Sequence, residues 1–248
     1  MGNPLDYNGF AKTYAETRSA VPWVIKPLFR EFNKLNQPSV IIEIGCGTAN
    51  YVIEMCEKLP GNIYKGFDLS EEMLKIAKSR SDKIEFKQAD ADSGFPYSDE
   101  SCNAAFAVDV IHHIVKYDVF FRECERILKP GGILIIVTDS EENIRKRSGT
   151  KYFPEKLEVE LDRYPPVDDL NRFAEASGLD LVSAELAEGY TDINDEMIAK
   201  IEKKHSSSSR LISEEAFQSG LKRVKQAKLR GEKWFSTYTI LIYKKKAL

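Results

Sequence analysis

A glycine pair, Gly45 and Gly47, follows an apolar run at residues 40–45 (VIIEIG). Such a run is typical of a parallel strand buried on both faces, and parallel sheets bind their ligands beyond the carboxyl ends of the strands. Glycine permits a tight turn and a close approach of backbone to a ligand, so the segment predicts a ligand-binding loop. An ordinary strand-to-helix turn would also explain the pair. A dinucleotide-binding loop would carry a third glycine where this chain has Asn50. The missing glycine disfavours a nicotinamide-dependent oxidoreductase without eliminating it.

Two acids end the next two predicted strands. Asp68 ends the strand at 63–68, and Asp90 ends the strand at 83–90. A carboxylate at this edge of the sheet can accept hydrogen bonds from both hydroxyls of a ribose, and an acid beside adenine can accept from its amino group. The alternatives are a helix cap for Asp68, a role that Ser70 fills better, and a solvated loop carboxylate for Asp90.

The elements that must position these residues alternate between strand and helix, which predicts βαβ units and a mostly parallel sheet. Strands are predicted at 40–45, 63–68, 83–90, 104–110, 133–138, 179–186 and 235–245. Helices are predicted at 49–59, from Ser70 onward, and at 117–128, 168–178, 192–204 and 213–230. Residues 141–165 are charged and contain three prolines, which predicts an irregular insert.

Composition limits the class of protein. The chain has 248 residues, a formal net charge of −3 and 42% hydrophobic residues, which suits one domain or one domain with an insert. The near-neutral charge disfavours a protein that works mainly by neutralising phosphates. No apolar stretch approaches the ~18 residues of a membrane helix, and the N-terminus lacks the pattern of a signal peptide, so we expect a cytoplasmic protein. The four cysteines form no CxxC pair, and we predict no metal site.

Five motifs in order resemble the class I S-adenosylmethionine-dependent methyltransferases, in the small-molecule branch that includes the ubiquinone and menaquinone methyltransferases. They are EIGCGTAN, GFDLSEEML, QADADSGFPYSDES, AFAVDVIHHI and RILKPGGILIIV. The resemblance implies a Rossmann-like, doubly wound, mostly parallel seven-stranded α/β sheet with helices on both faces and an antiparallel last strand. It also implies the cofactor S-adenosyl-L-methionine and the product S-adenosyl-L-homocysteine.

The resemblance assigns the cofactor's methionine moiety to the loop after the first strand. Gly45, Cys46 and Gly47 would lie against it, and Glu43 would orient this loop or accept from the cofactor's ammonium. The third glycine of the family loop is Ala49 here, a mild departure that should not block binding.

The next two motifs would hold the nucleoside. By the same resemblance, Asp68 would bind the ribose and Leu69 would stack beside the adenine. Asp90 and Ala91 would meet the adenine's amino group and ring nitrogen. In the N-terminal segment at 7–18, which resembles the family's lid, Tyr14 and Arg18 would cover the cofactor. An amphipathic helix with Phe10 and Tyr14 packed on the core is the alternative for this segment.

The fourth strand would end beside the reacting methyl, at Val108 and Asp109. His112 and His113 follow it, where an acceptor would lie, and imidazole can remove a proton near neutral pH. In the alternative, one histidine caps the next helix and the other packs beneath it. Asp109 could orient the cofactor or the acceptor instead.

The whole chain, 1–248, is predicted to be one methyltransferase domain with a small-molecule acceptor, as a monomer or homodimer. Residues 1–35 would form lid helices, 36–140 the cofactor core, and 141–170 and 188–232 substrate-side inserts. Aromatic residues of the segments outside the sheet core would line the acceptor site or fill the core beneath the inserts: Trp23, Phe29, Tyr152, Phe153, Tyr164, Tyr190 and Trp234.

Two further functions stay open at this point. Basic residues near the C-terminus could contact the phosphates of tRNA: Lys222, Arg223, Lys225, Lys228, Arg230 and Lys233. Such a helix is usually a solvated surface, and the acidic total disfavours nucleic acid. The other function is a cofactor-binding partner subunit without turnover of its own.

Overall fold

Seven strands form one sheet in the computed structural model, which describes residues 9, 11–204 and 206–247. They are β1 Val40–Ile44, β2 Ile63–Asp68, β3 Glu85–Gln88, β4 Cys102–Val108, β5 Leu128–Thr138, β6 Leu179–Asp192 and β7 Lys233–Lys245. Their order across the sheet is β3-β2-β1-β4-β5-β7-β6. The first five strands pair in parallel, and β7 is antiparallel to both β5 and β6. The predicted mostly parallel sheet with an antiparallel last strand is confirmed.

Helices pack on both faces of this sheet. They are α1 Ala11–Thr17, α2 Pro22–Phe32, α3 Asn50–Lys58, α4 Glu71–Arg80, α5 Tyr117–Ile127, α6 Glu141–Lys146, α7 Ser148–Tyr152, α8 Lys156–Leu161, α9 Val167–Ala176, α10 Asp195–Glu202 and α11 Glu214–Leu229. Successive strand residues point to opposite faces, so Ile41 joins the core beneath α2 and α3 while Ile42 joins the core beneath α5 and α9. None of these helices is long and apolar enough to cross a membrane, within the residues described.

The prediction of an irregular insert over 141–165 is wrong, because three short helices, α6 to α8, occupy most of it. Proline ends or delimits helices here: Pro154 lies between α7 and α8, and Pro166 precedes α9. The sixth strand is also longer than predicted. It continues to Asp192 because β7 pairs with it over its whole length, from Leu179 to Asp192.

A third apolar cluster joins the two predicted inserts. Tyr152 and Phe153 of the first insert are buried with Phe217 and Leu221 of α11. For these two aromatic residues, filling the core beneath the inserts is the observed arrangement, whereas Tyr190 is 66% exposed. The inserts therefore support each other beside the sheet rather than projecting as separate loops.

Candidate active site

The chain between β1 and α3 passes through the left-handed region three times. Gly45 has φ +64°, Gly47 φ +51° and Ala49 φ +66°. A Cβ on Gly45 would lie 2.6 Å from a Cγ of Val110, whereas a Cβ on Gly47 would meet nothing closer than Tyr14 Cε1 at 3.9 Å. Glycine thus serves a different purpose at each position. At Gly45 it allows close packing within the protein, whereas Gly47 borders the more open side of the turn.

Asp68 at the end of β2 ties this turn in place. Its Oδ2 accepts from the Gly47 N–H at 2.8 Å, and its Oδ1 accepts from the Ser70 N–H at 2.9 Å. Burial raises the pKa of Asp68, and these two amides act in the opposite direction. Capping of α4 falls to Ser70, whose Oγ accepts from the Met73 N–H, so Asp68 is not the helix cap. Each carboxylate oxygen can accept a second hydrogen bond, so Asp68 is not saturated by these contacts.

Glu43 also stabilises the turn between β1 and α3. Its buried side chain accepts from the Val52 N–H in the first turn of α3 at 3.0 Å. Burial raises the pKa of Glu43 well above its ordinary value, and the nearby Asp68 carboxylate raises it further. Cys46 is also buried, and its Sγ lies against Gly66 of β2. Glu43 and Cys46 therefore build the loop from the protein side.

We expect Glu43 to make folding stability depend on pH. Because its pKa is raised in the folded state, folding takes up a proton, and stability falls as pH rises above the unfolded pKa of about 4.3. Glu43→Gln keeps an oxygen for the Val52 amide and removes this titration. Urea unfolding from pH 4 to 8 should show a shallower fall in the free energy of unfolding for Glu43→Gln than for the wild type. Parallel curves would contradict the assignment.

The neighbouring strand ends carry the other predicted cofactor residues. Leu69 is 65% exposed beside Asp68, and Ala91 is half-buried. Asp90 closes its own turn, since its oxygens accept from the Asp92 N–H and the Ser93 hydroxyl, both at 2.9 Å. The Asp92 carboxylate, which sequence reasoning missed, accepts from the amides of residues 115 and 116 ahead of α5.

At the end of β4, Val108 is buried and Asp109 adopts φ +55°. Burial raises the pKa of Asp109, and the Arg18 guanidinium acts in the opposite direction. The Arg18 guanidinium lies 5.7 Å from the centre of the Tyr14 ring. Of the predicted lid segment, residues 7, 8 and 10 lie outside the described residues, and with them the packing proposed for Phe10.

The two histidines form part of an aromatic stack. The His112 ring lies 4.0 Å from that of His113 and 4.3 Å from that of Tyr164. Burial lowers the pKa of His112 well below its ordinary value, so its imidazole is neutral at physiological pH. His113 is exposed. The amides just ahead of α5 donate to Asp92.

A buried ionic cluster beyond β5 was not predicted. Arg147 pairs with both Asp139 and Glu160, and Glu160 also accepts from the Ser208 hydroxyl at 2.6 Å. Lys156 is buried nearby and donates to Ser209 at 2.6 Å. The available signal was position: Asp139 directly follows the buried strand β5, as Asp109 directly follows β4, but no role was predicted for it.

Comparison with known proteins identifies the core. Residues 42–136 match a family model described as a methyltransferase domain. These residues form a methyltransferase domain. The methyltransferase core thus includes the loop between β1 and α3 and the ends of β2 and β4, while the Asp139–Arg147–Glu160 cluster lies after it.

Curated proteins are similar in sequence to part of this chain. A malonyl-[acyl-carrier protein] O-methyltransferase of Marinomonas sp. (strain MWYL1) is 29% identical over 62% of this chain and 57% of its own length. A demethylmenaquinone methyltransferase of Chlorobaculum parvum is 33% identical over 39% of each chain. A tRNA (carboxymethyluridine(34)-5-O)-methyltransferase of Mus musculus is 29% identical over 66% of this chain and 23% of its own length. The chain therefore spans less than two thirds of each of these relatives.

The fold is shared over most of the chain. A solved structure from Anabaena variabilis, described as a methyltransferase of an antibiotic biosynthesis pathway, superposes with a TM-score of 0.73 at 20% identity. The superposition covers 92% of this chain and 98% of that one. The methyltransferase fold thus extends beyond the matched core and includes the inserts.

Proposed function

We propose that this methyltransferase moves a methyl group from S-adenosyl-L-methionine to an O, N or C atom of a small or medium organic acceptor. The proposal rests on one observation, the hydrogen bonding between the β1–α3 turn and the end of β2. Asp68 fixes the Gly47 amide while keeping free lone pairs, and Gly47 borders open space. These features fit a nucleoside with a polar tail, because they offer acceptors for the ribose and backbone for the methionine moiety.

Each residue has a defined part in this proposal. Asp68 accepts from the ribose hydroxyls, and the exposed Leu69 covers one side of the adenine. Asp90 and Ala91 meet the adenine edge. Arg18 binds the carboxylate of the methionine moiety, and Tyr14, whose ring lies beside the Arg18 guanidinium, covers it.

The residues around the methyl must position and shield rather than activate the cofactor. Bound S-adenosyl-L-methionine supplies an electrophilic methyl group on a sulfonium. Its transfer is an in-line displacement, which depends chiefly on proximity and alignment. Val108 and Asp109 close the site on the β4 side. The half-buried rings of Tyr164, which stacks on His112, and of Tyr238 help to exclude water there.

A tRNA acceptor is the second candidate, supported by the partial similarity to the tRNA methyltransferase. The basic residues of the C-terminal region count against it, because acids neutralise most of them. Arg223 pairs with Glu155, Lys225 with Glu202 at 2.7 Å, and Lys228 with Asp195. A phosphate-binding surface would need cations available to the nucleic acid.

The proposal places the lid in residues 1–35, the cofactor core in 36–140, and acceptor selection in 141–170 and 188–232. It also places the enzyme in the cytoplasm as a monomer or homodimer. A partner subunit without turnover would have the same cofactor contacts, so activity of the purified chain alone distinguishes the two cases.

Thermal unfolding with S-adenosyl-L-homocysteine tests the central proposal. At about 100 times its Kd, the ligand adds about 2.7 kcal/mol to the free energy of unfolding, which raises Tm by roughly 5–10 °C for a chain of this size. NADH at the same concentration should leave Tm unchanged. A shift with NADH and none with S-adenosyl-L-homocysteine would replace the methyltransferase with an oxidoreductase. Release of S-adenosyl-L-homocysteine with metabolite pools, or with tRNA, then identifies the class of acceptor.

A further inference from the structure

Asp139 has an unused hydrogen-bonding atom between the end of β5 and the insert helices. It directly follows β5, and the β4 end lies beside it, since the Asp109 N–H donates to the Val137 carbonyl at 3.1 Å. Its residue is 1% exposed. One carboxylate oxygen, Oδ2, pairs with Arg147, while Oδ1 has no hydrogen-bond partner among the described residues. A buried carboxylate oxygen without a donor is costly, which points to a ligand group that supplies one.

The ion pairs and hydrogen bonds around Asp139, here called the ionic frame, do not involve Oδ1. Arg147 already engages two acids, Asp139 and Glu160, so its guanidinium does not need Oδ1. Glu160 accepts from Ser208, and Lys156 donates to Ser209, which fixes the insert helices against the 206–209 turn. The carboxylate of Asp139 is thus held in one orientation by Oδ2, with Oδ1 left to meet something else.

A second unused atom lies on the same side. Nδ1 of His112 is buried and has no partner among the residues that the structure describes. Tyr164 links the two: its ring stacks on His112, and the Arg147 guanidinium that holds Asp139 lies 5.8 Å from the ring centre. A neutral imidazole nitrogen can either donate or accept a hydrogen bond, according to its tautomer.

We propose that Asp139 binds the methyl acceptor by accepting a hydrogen bond from its O–H or N–H group at Oδ1, with His112 Nδ1 as the second contact. The proposal rests on the proposed function and narrows the acceptor to alcohols, phenols and amines. The acceptor's O–H or N–H bond breaks, its electron pair forms the bond to the methyl carbon, and the proton goes to Asp139 Oδ1. The electron pair of the broken C–S bond stays on sulfur.

The surroundings of Asp139 suit this proton transfer. Burial raises the pKa of Asp139 to about 7, the Arg147 guanidinium opposes the rise, and the carboxylates of Asp109 and Glu160 add to it. Tyr164 and Tyr238 also face it, and burial raises the pKa of both, so their hydroxyls stay protonated near pH 7. Since the base must be ionised to accept a proton, turnover should rise with pH through about 7.

The experiment compares the wild type with Asp139→Asn and Glu160→Gln. Asparagine keeps an oxygen for Arg147 and places an NH2 group, which cannot accept the proton, where the acceptor would bind. Glutamine at position 160 weakens the other carboxylate contact of Arg147 and leaves Asp139 Oδ1 untouched. Both variants disturb the same ionic frame, so a purely structural role of Asp139 would change them alike.

Binding and turnover are measured separately. Calorimetry with S-adenosyl-L-homocysteine comes first; its Kd should agree within about twofold among the three proteins. Failure of the wild type to bind it would refute the proposed function itself. Turnover with S-adenosyl-L-methionine is then measured with metabolites sorted by reacting group, together with phenol, aniline, benzoate and thiophenol, which share one ring.

The proposal expects turnover with O–H or N–H compounds in the wild type, and a loss of about 100-fold in kcat/KM for Asp139→Asn. The rise in rate near pH 7 should persist in Glu160→Gln and disappear in Asp139→Asn. Preference for carboxylates or thiols would overturn it. So would an equal loss in both variants, or a panel in which no O–H or N–H compound distinguishes the wild type from Asp139→Asn.

Discussion

Asp68→Ala is expected to weaken binding of S-adenosyl-L-homocysteine by about 100-fold or more. The substitution removes the acceptor for both ribose hydroxyls, and a hydrogen bond to a charged group is worth about 1.5–3 kcal/mol. It also releases the Gly47 amide that Asp68 holds at 2.8 Å, so the loop loses part of its preorganisation. Calorimetry well below Tm measures the change in Kd directly.

Ser70→Ala is the matched control for Asp68→Ala. Ser70 lies two residues away and caps α4 through the Met73 amide at 3.2 Å, so its loss should cost about 1 kcal/mol of stability. Its hydroxyl has no part in the proposed ribose contact, and the Kd should stay within about twofold of the wild type. A comparable loss of affinity in both variants would mean that Asp68 acts only by supporting the loop. Unchanged affinity in Asp68→Ala would refute the ribose contact.

The centre of the sheet could be predicted from the sequence because strands such as β1, β4 and β5 are buried on both faces. Uninterrupted apolar runs such as 133–138 leave few alternatives, and start and stop signals such as Ser70 fix the helix ends. The insert at 141–165 could not be predicted in this way. Its helices are five or six residues long and depend on tertiary contacts, such as the packing of Phe153 against Phe217.

Some residues of the candidate site could likewise be predicted from the sequence, and others could not. Asp68 could be predicted as a site residue because the sheet's topology fixes where strand ends meet, and Asp109 because its motif resembles that of the methyltransferases. The pairing of Arg147 with Asp139 and Glu160 joins residues 8 and 13 positions apart through a fold of the insert, and no local pattern predicts it. Arg147 and Glu160 stood only as charges within 141–165, the predicted irregular insert, and Asp139 lay between that insert and the fifth strand.

Gly45→Ala is expected to destabilise the protein strongly while sparing cofactor affinity. Alanine at φ +64° costs about 1–2 kcal/mol, and the clash of its Cβ with Val110 at 2.6 Å adds about 1–3 kcal/mol of overpacking. Together these lower Tm by roughly 5–15 °C for a chain of this size. Thermal and urea unfolding measure the loss, and calorimetry at low temperature measures the Kd for S-adenosyl-L-homocysteine.

Gly47→Ala is the matched comparison, because it carries the same left-handed strain without the clash. Its Cβ would meet nothing closer than 3.9 Å, so stability should fall by about 1–2 kcal/mol only. The added methyl instead enters the side of the turn where the methionine moiety is proposed to lie, and affinity should fall at least about tenfold. Combining Gly45→Ala with Val110→Ala should recover part of the lost stability, as a favourable coupling in a double-mutant cycle. Equal losses of stability in the two glycine variants would contradict the packing role of Gly45. Normal ligand binding by Gly47→Ala would contradict the binding role of Gly47.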